Sequence, residues 1–168
     1  MIFLDTNIWI ELVVARTPVT EHEKNQAKKS GELLQAIWQK GEVVVTCKEQ
    51  LLEIINAVEK VKKREVSKKR KESNLEGIGD LKSFRKCEEF VEVQELCKTA
   101  VNDILHFAEL KEVGNYNHEY LKSIVERLKI ADINDCIYYD FCLKNDMDLY
   151  SFDSDLKNLG EHEKLHII

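Results

Sequence analysis

Four short apolar or β-prone runs, separated by stretches of helical periodicity, constrain this chain more than any other feature: Met1 to Leu4, Glu42 to Thr46, Met147 to Ser151 and Lys164 to Ile168. A run with little polar alternation reads as a strand buried on both faces, as found inside a parallel sheet covered by helices. Met1 to Leu4 is the clearest of them and ends at Asp5, followed by Thr6 and Asn7. The carboxyl edge of a parallel sheet opens into a crevice where ligands bind, so an acid placed there is a candidate for chemistry.

Helical patterns fill the intervals. Ile8 to Val14 begins a helix, and Pro18 with Thr17 and Thr20 marks a break after it. Leu33, Leu34, Ile37 and Trp38 form an apolar stripe over Gly31 to Lys40, stopped by Gly41. After the second strand, Leu51, Leu52, Ile55, Val58 and Val61 predict a helix, and Ser67 to Asp80 then turns polar. Helical stripes run over Phe84 to Leu110 and Tyr120 to Leu128, and a further helix runs from Asn134, a candidate cap, to about Lys144. Strand and helix in alternation predict an α/β fold: a three-layer α/β/α sandwich on a small parallel sheet of four to five strands. Residues 1–168 read as one domain with a helical insertion at about 62–130.

At 168 residues, with 43% apolar and 33% charged residues, the chain has an ordinary globular balance. No run approaches the roughly 18 apolar residues of a membrane span, and Met1 is not followed by a secretory pattern, so the expected location is cytoplasmic. Five cysteines (Cys47, Cys87, Cys97, Cys136, Cys142) include no C-x-x-C pair and read as reduced thiols. His162 and His166 have metal-compatible spacing but fall in a turn entering a strand. A net charge of -6 argues against coating nucleic acid by bulk attraction. Charge is nevertheless uneven, with eight basic residues and one acid from Lys60 to Lys71. Such a block is either a solvated face or a phosphate contact; the candidates are Lys62, Lys63, Arg64, Lys68, Lys69 and Arg70.

If the strands all run the same way, Asp5, Thr46, Ser151 and Asp153 arrive at one edge, and Glu53 and Asp135 lie in the first turns of helices that start there. Carboxylates gathered within a few ångströms raise one another's pKa, and a hard divalent cation relieves that repulsion. An all-oxygen set without histidine or cysteine suits Mg²⁺ or Mn²⁺. A cation so held activates water and stabilises a leaving oxygen, which is the chemistry of phosphodiester hydrolysis.

The ordered segments I-F-L-D-T-N (Ile2 to Asn7), V-V-V-T followed by a helix bearing Glu53, N-D-C-I (Asn134 to Ile137) and L-Y-S-F-D-S-D (Leu149 to Asp155) resemble the acidic motifs of the PIN domain family. The resemblance spans almost the whole chain. It implies a metal-dependent single-stranded endoribonuclease, and the short members similar to VapC toxins imply a type II toxin-antitoxin pair. On that resemblance Asp5, Glu53, Asp135 and Asp153 hold Mg²⁺ or Mn²⁺ and act in catalysis, Thr6 and Asn7 support Asp5, and Ser151 orients the acids. Asp155 adds a carboxylate or caps the next helix. Glu49, one turn before Glu53, and Asp132, near Asp135, are alternative ligands. The partners implied are single-stranded RNA, a small antitoxin protein and a second copy of the chain in a homodimer, with no membrane. Tyr138 and Tyr139 stand where small residues are common in the family, and the stretch from Glu53 to Asp135 is longer than in compact members.

Each acid also has a plainer reading: Asp5 as the cap of the helix near Ile8, Glu53 as a surface glutamate, Asp135 as a helix-start residue. Two other enzyme classes place an aspartate at a strand end. Haloacid dehalogenase-like phosphatases need D-x-D, but Asn7 fills the second place and supplies no acid. Receiver domains need an earlier acidic pair, which is absent. The remaining alternative is a catalytically silent PIN-fold module that binds RNA or protein.

Overall fold

The computed structural model describes residues 1–14 and 20–168. Among these, β1 (Ile2–Leu4), β2 (Val44–Thr46), β3 (Ala108–Leu110), β4 (Asp148–Ser151) and β5 (Leu165–Ile167) form one sheet in the order β3-β2-β1-β4-β5. All four pairings are parallel, with Ile2 opposite both Val44 and Asp148, and Leu4 opposite Tyr150. The chain winds outward from β1 through β2 to β3, and on the other side from β4 to β5. The switch point therefore lies between β1 and β4, where a crevice opens at the carboxyl ends.

Alternate residues of each strand enter separate cores, because successive side chains of a strand point to opposite faces. Ile2, Leu4 and Val44 pack beneath α1 (Thr6–Val13), α3 (Lys48–Glu72) and α5 (Phe90–Phe107). Val14 at the end of α1, Ile37 of α2 (Glu21–Lys40) and Phe84 of the short α4 (Leu81–Phe84) complete that layer. Phe3, Val45 and Leu149 face α6 (His118–Arg127), α7 (Ile133–Lys144) and the 3-10 helix Ser154–Leu159. The fold is the expected three-layer sandwich on a parallel sheet.

Several boundaries differ from the sequence reading. The first helix starts at Thr6 rather than Ile8, because Asp5 caps it. α2 starts at Glu21, ten residues before Gly31, where Thr20 and Glu23 form a reciprocal capping box. Its end is as expected: Gly41, at φ 64, turns the chain back on Ile37 and Trp38. The break read at Thr17 and Pro18 lies outside the described residues. α3 continues through the basic block to Glu72 and shortens the polar excursion.

The stripe read as one helix from Phe84 to Leu110 is not one. It divides into the end of α4, a turn, α5, and then strand β3. Ala108 and Glu109 carry little β propensity, and Ala108 continues the apolar spacing set by Ile104. Pairing of this edge segment with β2 overrides both signals, since strand formation depends more on available partners than on intrinsic preference. The segment 62–130 thus supplies a strand to the sheet as well as helices. The helix expected from Asn134 begins at Ile133 with Asp132 as its cap.

Candidate active site

Asp5 follows β1 directly and is 4% exposed. Its Oδ1 accepts from the Thr6 amide at 2.6 Å, while its Oδ2 accepts from Asn7 Nδ2 at 2.8 Å and Ser151 Oγ at 2.5 Å. Ser151 ends β4, next to β1, so the parallel pairing of these two strands brings the hydroxyl to the carboxylate. Asn7 also donates to Ser151 Oγ at 3.0 Å, and Ser151 Oγ accepts from the Asp153 amide at 2.8 Å. The turn carrying Asp153 is thereby tied to Asp5 through one serine.

Glu53 lies on α3, just over one turn in. Its Oε2 accepts from Thr6 Oγ1 and from the Tyr138 hydroxyl, each at 2.7 Å. Thr6 therefore joins the first two acids, with its amide on Asp5 and its hydroxyl on Glu53. α3 itself is anchored by Gln50, which accepts from buried Thr46 at 2.9 Å and donates to the Leu4 carbonyl at 2.8 Å. Tyr138 is 1% exposed and packs its ring 5.1 Å from Phe3. Sequence reading treated this residue only as a packing change. Its hydroxyl is a partner of the site that no local motif shows, because the contact spans 85 positions.

Asp135 and Asp132 form a capping box at the start of α7: the Asp135 amide donates to Asp132 Oδ1 at 3.0 Å and the Asp132 amide reaches Asp135 Oδ2 at 3.4 Å. Asp153 caps the 3-10 helix, accepting from the Asp155 amide at 2.8 Å, and Asp155 itself is exposed. Glu49 lies in the first turn of α3 with a buried Oε2 that has no hydrogen-bond partner among the described residues. It acts on Tyr116 and Cys47 rather than on Asp5.

Electrostatics links the acids. Burial pushes Asp5 up to about 6, and the charges of Glu53 and Asp153 add to that, against the lowering by its hydrogen bonds to Ser151 and Thr6. Asp135 is pushed up to about 7, first by desolvation and then by Asp132, Asp5 and Asp153. Buried carboxylates raised by one another's charge form a donor set suited to a hard cation. Among the described residues, no three Asp, Glu, His or Cys side chains stand close enough to hold an ion as placed. The chemistry of the donor set thus fits Mg²⁺ or Mn²⁺.

The basic block expected to meet phosphates is divided by its position on α3. Lys62 bonds Glu65 at 2.8 Å, and Lys63 donates to the Gly79 carbonyl at 2.6 Å. Arg70 lies 3.1 Å from Glu89 and reaches Cys87 Sγ. Lys69 and Arg70 line a cavity of about 470 Å³ between α3 and α5. Lys68 is exposed, 3.9 Å from Glu72, and Arg64 is exposed. Among the described residues no helix is long and apolar enough to cross a membrane.

Comparison with known proteins is consistent with this arrangement. No curated protein and no solved structure matches the chain. The model of one family, the PIN domain, a fold generally used by nucleases, matches residues 2–162. With nearly the whole length covered and the acids gathered at the carboxyl edge of the parallel sheet, the chain belongs to the PIN domain family.

Proposed function

We propose that this chain is a Mg²⁺- or Mn²⁺-dependent endoribonuclease acting on single-stranded RNA, with Asp5, Glu53, Asp135 and Asp153 as the metal-holding and catalytic acids. The observation that carries the reading is that burial first, and neighbouring carboxylates after it, raise Asp5 to about 6 and Asp135 to about 7. When bound, a divalent cation supplies an activated water and neutralises charge on the leaving oxygen. The chain's own residues do the positioning. Thr6, Asn7 and Ser151 fix both oxygens of Asp5, and Ser151 carries the Asp153 turn with it. Thr6 and Tyr138 both donate to one oxygen of Glu53, Oε2, and hold that side chain. Asp132, through the capping box, orients Asp135.

The toxin role, a small antitoxin partner, a homodimer and a cytoplasmic location extend the same reading and rest on the likeness of short family members to VapC toxins. The test is cleavage of a labelled single-stranded RNA with Mn²⁺ and with chelator. Cleavage that needs Mn²⁺ and is lost in Asp5→Asn supports the proposal; cleavage that ignores chelation or survives Asp5→Asn overturns it. The alternative, a silent PIN-fold module, is favoured by one observation: among the described residues no three acids stand close enough for an ion as placed. RNA binding without cleavage under any divalent ion would establish it.

A further inference from the structure

α3 runs from the acidic edge out over the surface for 25 residues. At its start, a cleft of about 470 Å³ is lined by Glu49, Leu52, Glu53, Asn56 and Lys60 of α3 and by Asp132 at the start of α7. At 3.6 residues per turn, Lys60 lies two turns beyond Glu53 and Arg64 three turns, so they stand nearly in line with it at ~10 Å and ~16 Å along the axis. Lys68 follows one turn later, at ~22 Å.

We propose that this line, from the cleft through Lys60 and Arg64 to Lys68, is the track that holds the phosphate backbone of a single-stranded RNA on one side of the scissile phosphate. The proposal rests on the nuclease reading for the position of the scissile phosphate. Its own support is a departure from the charge pattern found elsewhere in the chain. Several exposed cations on other helices are matched three or four residues away by an acid: Lys24 with Glu21, Lys28 with Glu32, Lys98 with Glu95, Lys122 with Glu119. Lys60 and Arg64 instead follow one another at i, i+4, a spacing at which like charges destabilise a helix, and Lys68, one turn on, is 3.9 Å from Glu72. Lys60 and Arg64 are exposed and in no ion pair among the described residues, whereas Lys62 and Arg70 beside them are paired with Glu65 and Glu89.

A polyanion meeting this line relieves the repulsion, and the acidic pole at its end repels the same polyanion unless a cation is bound. Leu52, 61% exposed at the cleft, offers an apolar surface to a base. A positively charged line that tracks the backbone is how single strands are held without sequence readout.

The test is fluorescence anisotropy of a labelled single-stranded RNA, in Mg²⁺, on a non-cleaving Asp5→Asn background. Lys60→Ala with Arg64→Ala removes two phosphate contacts, so the slope of log K against log salt becomes shallower by ~1.4 and affinity at 0.1 M salt falls ~25-fold. The control pair Lys28→Ala with Lys29→Ala, on α2, removes the same net charge and leaves the slope unchanged. Circular dichroism confirms that both pairs fold. An unchanged slope in the α3 pair, or the same loss in the control, overturns the proposal. Failure of the nuclease reading is separable: RNA bound through these residues but never cleaved by the protein with Asp5 intact refutes catalysis and leaves the track standing. Cleavage by the protein with Asp5 intact, with α3 variants that bind as their Asp5→Asn parent does, refutes the track alone.

Discussion

Replacing Asp5 by Asn stabilises the metal-free protein at neutral pH while abolishing its proposed activity. A carboxyl moved from 3.8 to about 6 costs about 3 kcal/mol when it is held ionised in the fold. Asparagine removes that charge and keeps an acceptor for the Thr6 amide. Its amide nitrogen, however, meets Asn7 Nδ2 and Ser151 Oγ; the serine oxygen already accepts from Asn7 and from the Asp153 amide, so its hydroxyl loses an acceptor while Asn7 keeps only its bond to the serine. That mismatch offsets about 1–2 kcal/mol. The net gain is therefore about 1–2 kcal/mol, a rise in Tm of about 3–6 °C for a domain of this size. The sign follows from linkage. Because the folded pKa lies above the unfolded one, protonation favours the fold; this stability is fully present below 3.8 and lost as pH rises through about 6. The advantage of Asp5→Asn over the parent is thus largest at pH 7.5, shrinks below pH 6 and is gone near pH 4. Urea unfolding in chelator at these three values measures it. A variant less stable than the parent at pH 7.5, or a difference that does not change with pH, refutes the account of Asp5 as a buried, repelled carboxylate.

Other expectations follow from the same geometry. Mn²⁺ raises the Tm of the parent, by about 2.7 kcal/mol of stability at a hundredfold excess over Kd, and does so far less in Asp5→Asn; thermal melts with and without Mn²⁺ check this. Tyr138→Phe leaves Glu53 Oε2 with Thr6 alone, so stability falls by about 1 kcal/mol and Mn²⁺ affinity measured by calorimetry weakens, whereas an unchanged affinity removes Tyr138 from the site. Ile54→Ala, at a fully buried position on α3, costs about 3 kcal/mol in urea unfolding. Arg85→Ala strands buried Glu59, which the guanidinium holds through two hydrogen bonds, so it lowers Tm more than Glu59→Gln does.

The layered α/β architecture was legible because its two periodicities are local. Runs such as Ile2 to Leu4 and Val44 to Val45 are buried on both faces, and the stripes of α2, α3 and α7 repeat at helical spacing. The acids were legible for a related reason. Asp5 and Asp153 stand immediately past strands, and a parallel sheet sends every strand end to one edge, so order along the chain already implies their meeting. β3 was hidden because its three residues have no β-branching and Ala108 continues the helical spacing of Ile104, and only the open edge of β2 makes them a strand.

What only the tertiary structure decided are matters of orientation across long sequence separations. Glu53 rather than Glu49 meets Thr6, because α3 is turned by the Gln50 bond to Leu4 and leaves Glu49 facing Tyr116. Asp132, read as an alternative ligand, became the cap that steers Asp135. Tyr138 entered the site from a helix 85 residues away from Glu53. The basic block likewise was one run in sequence, but 3.6 residues per turn distributes it around a cylinder. Lys62, Lys63 and Arg70 were drawn into contacts with Glu65, Gly79 and Glu89, and Lys60 and Arg64 were left in line with the acids. Sequence determined which chemistry this chain carries, since residue type and order are enough to deliver acids to one edge. Which atoms meet depended on helix rotation and on contacts between distant segments, and those are set only when the layers pack.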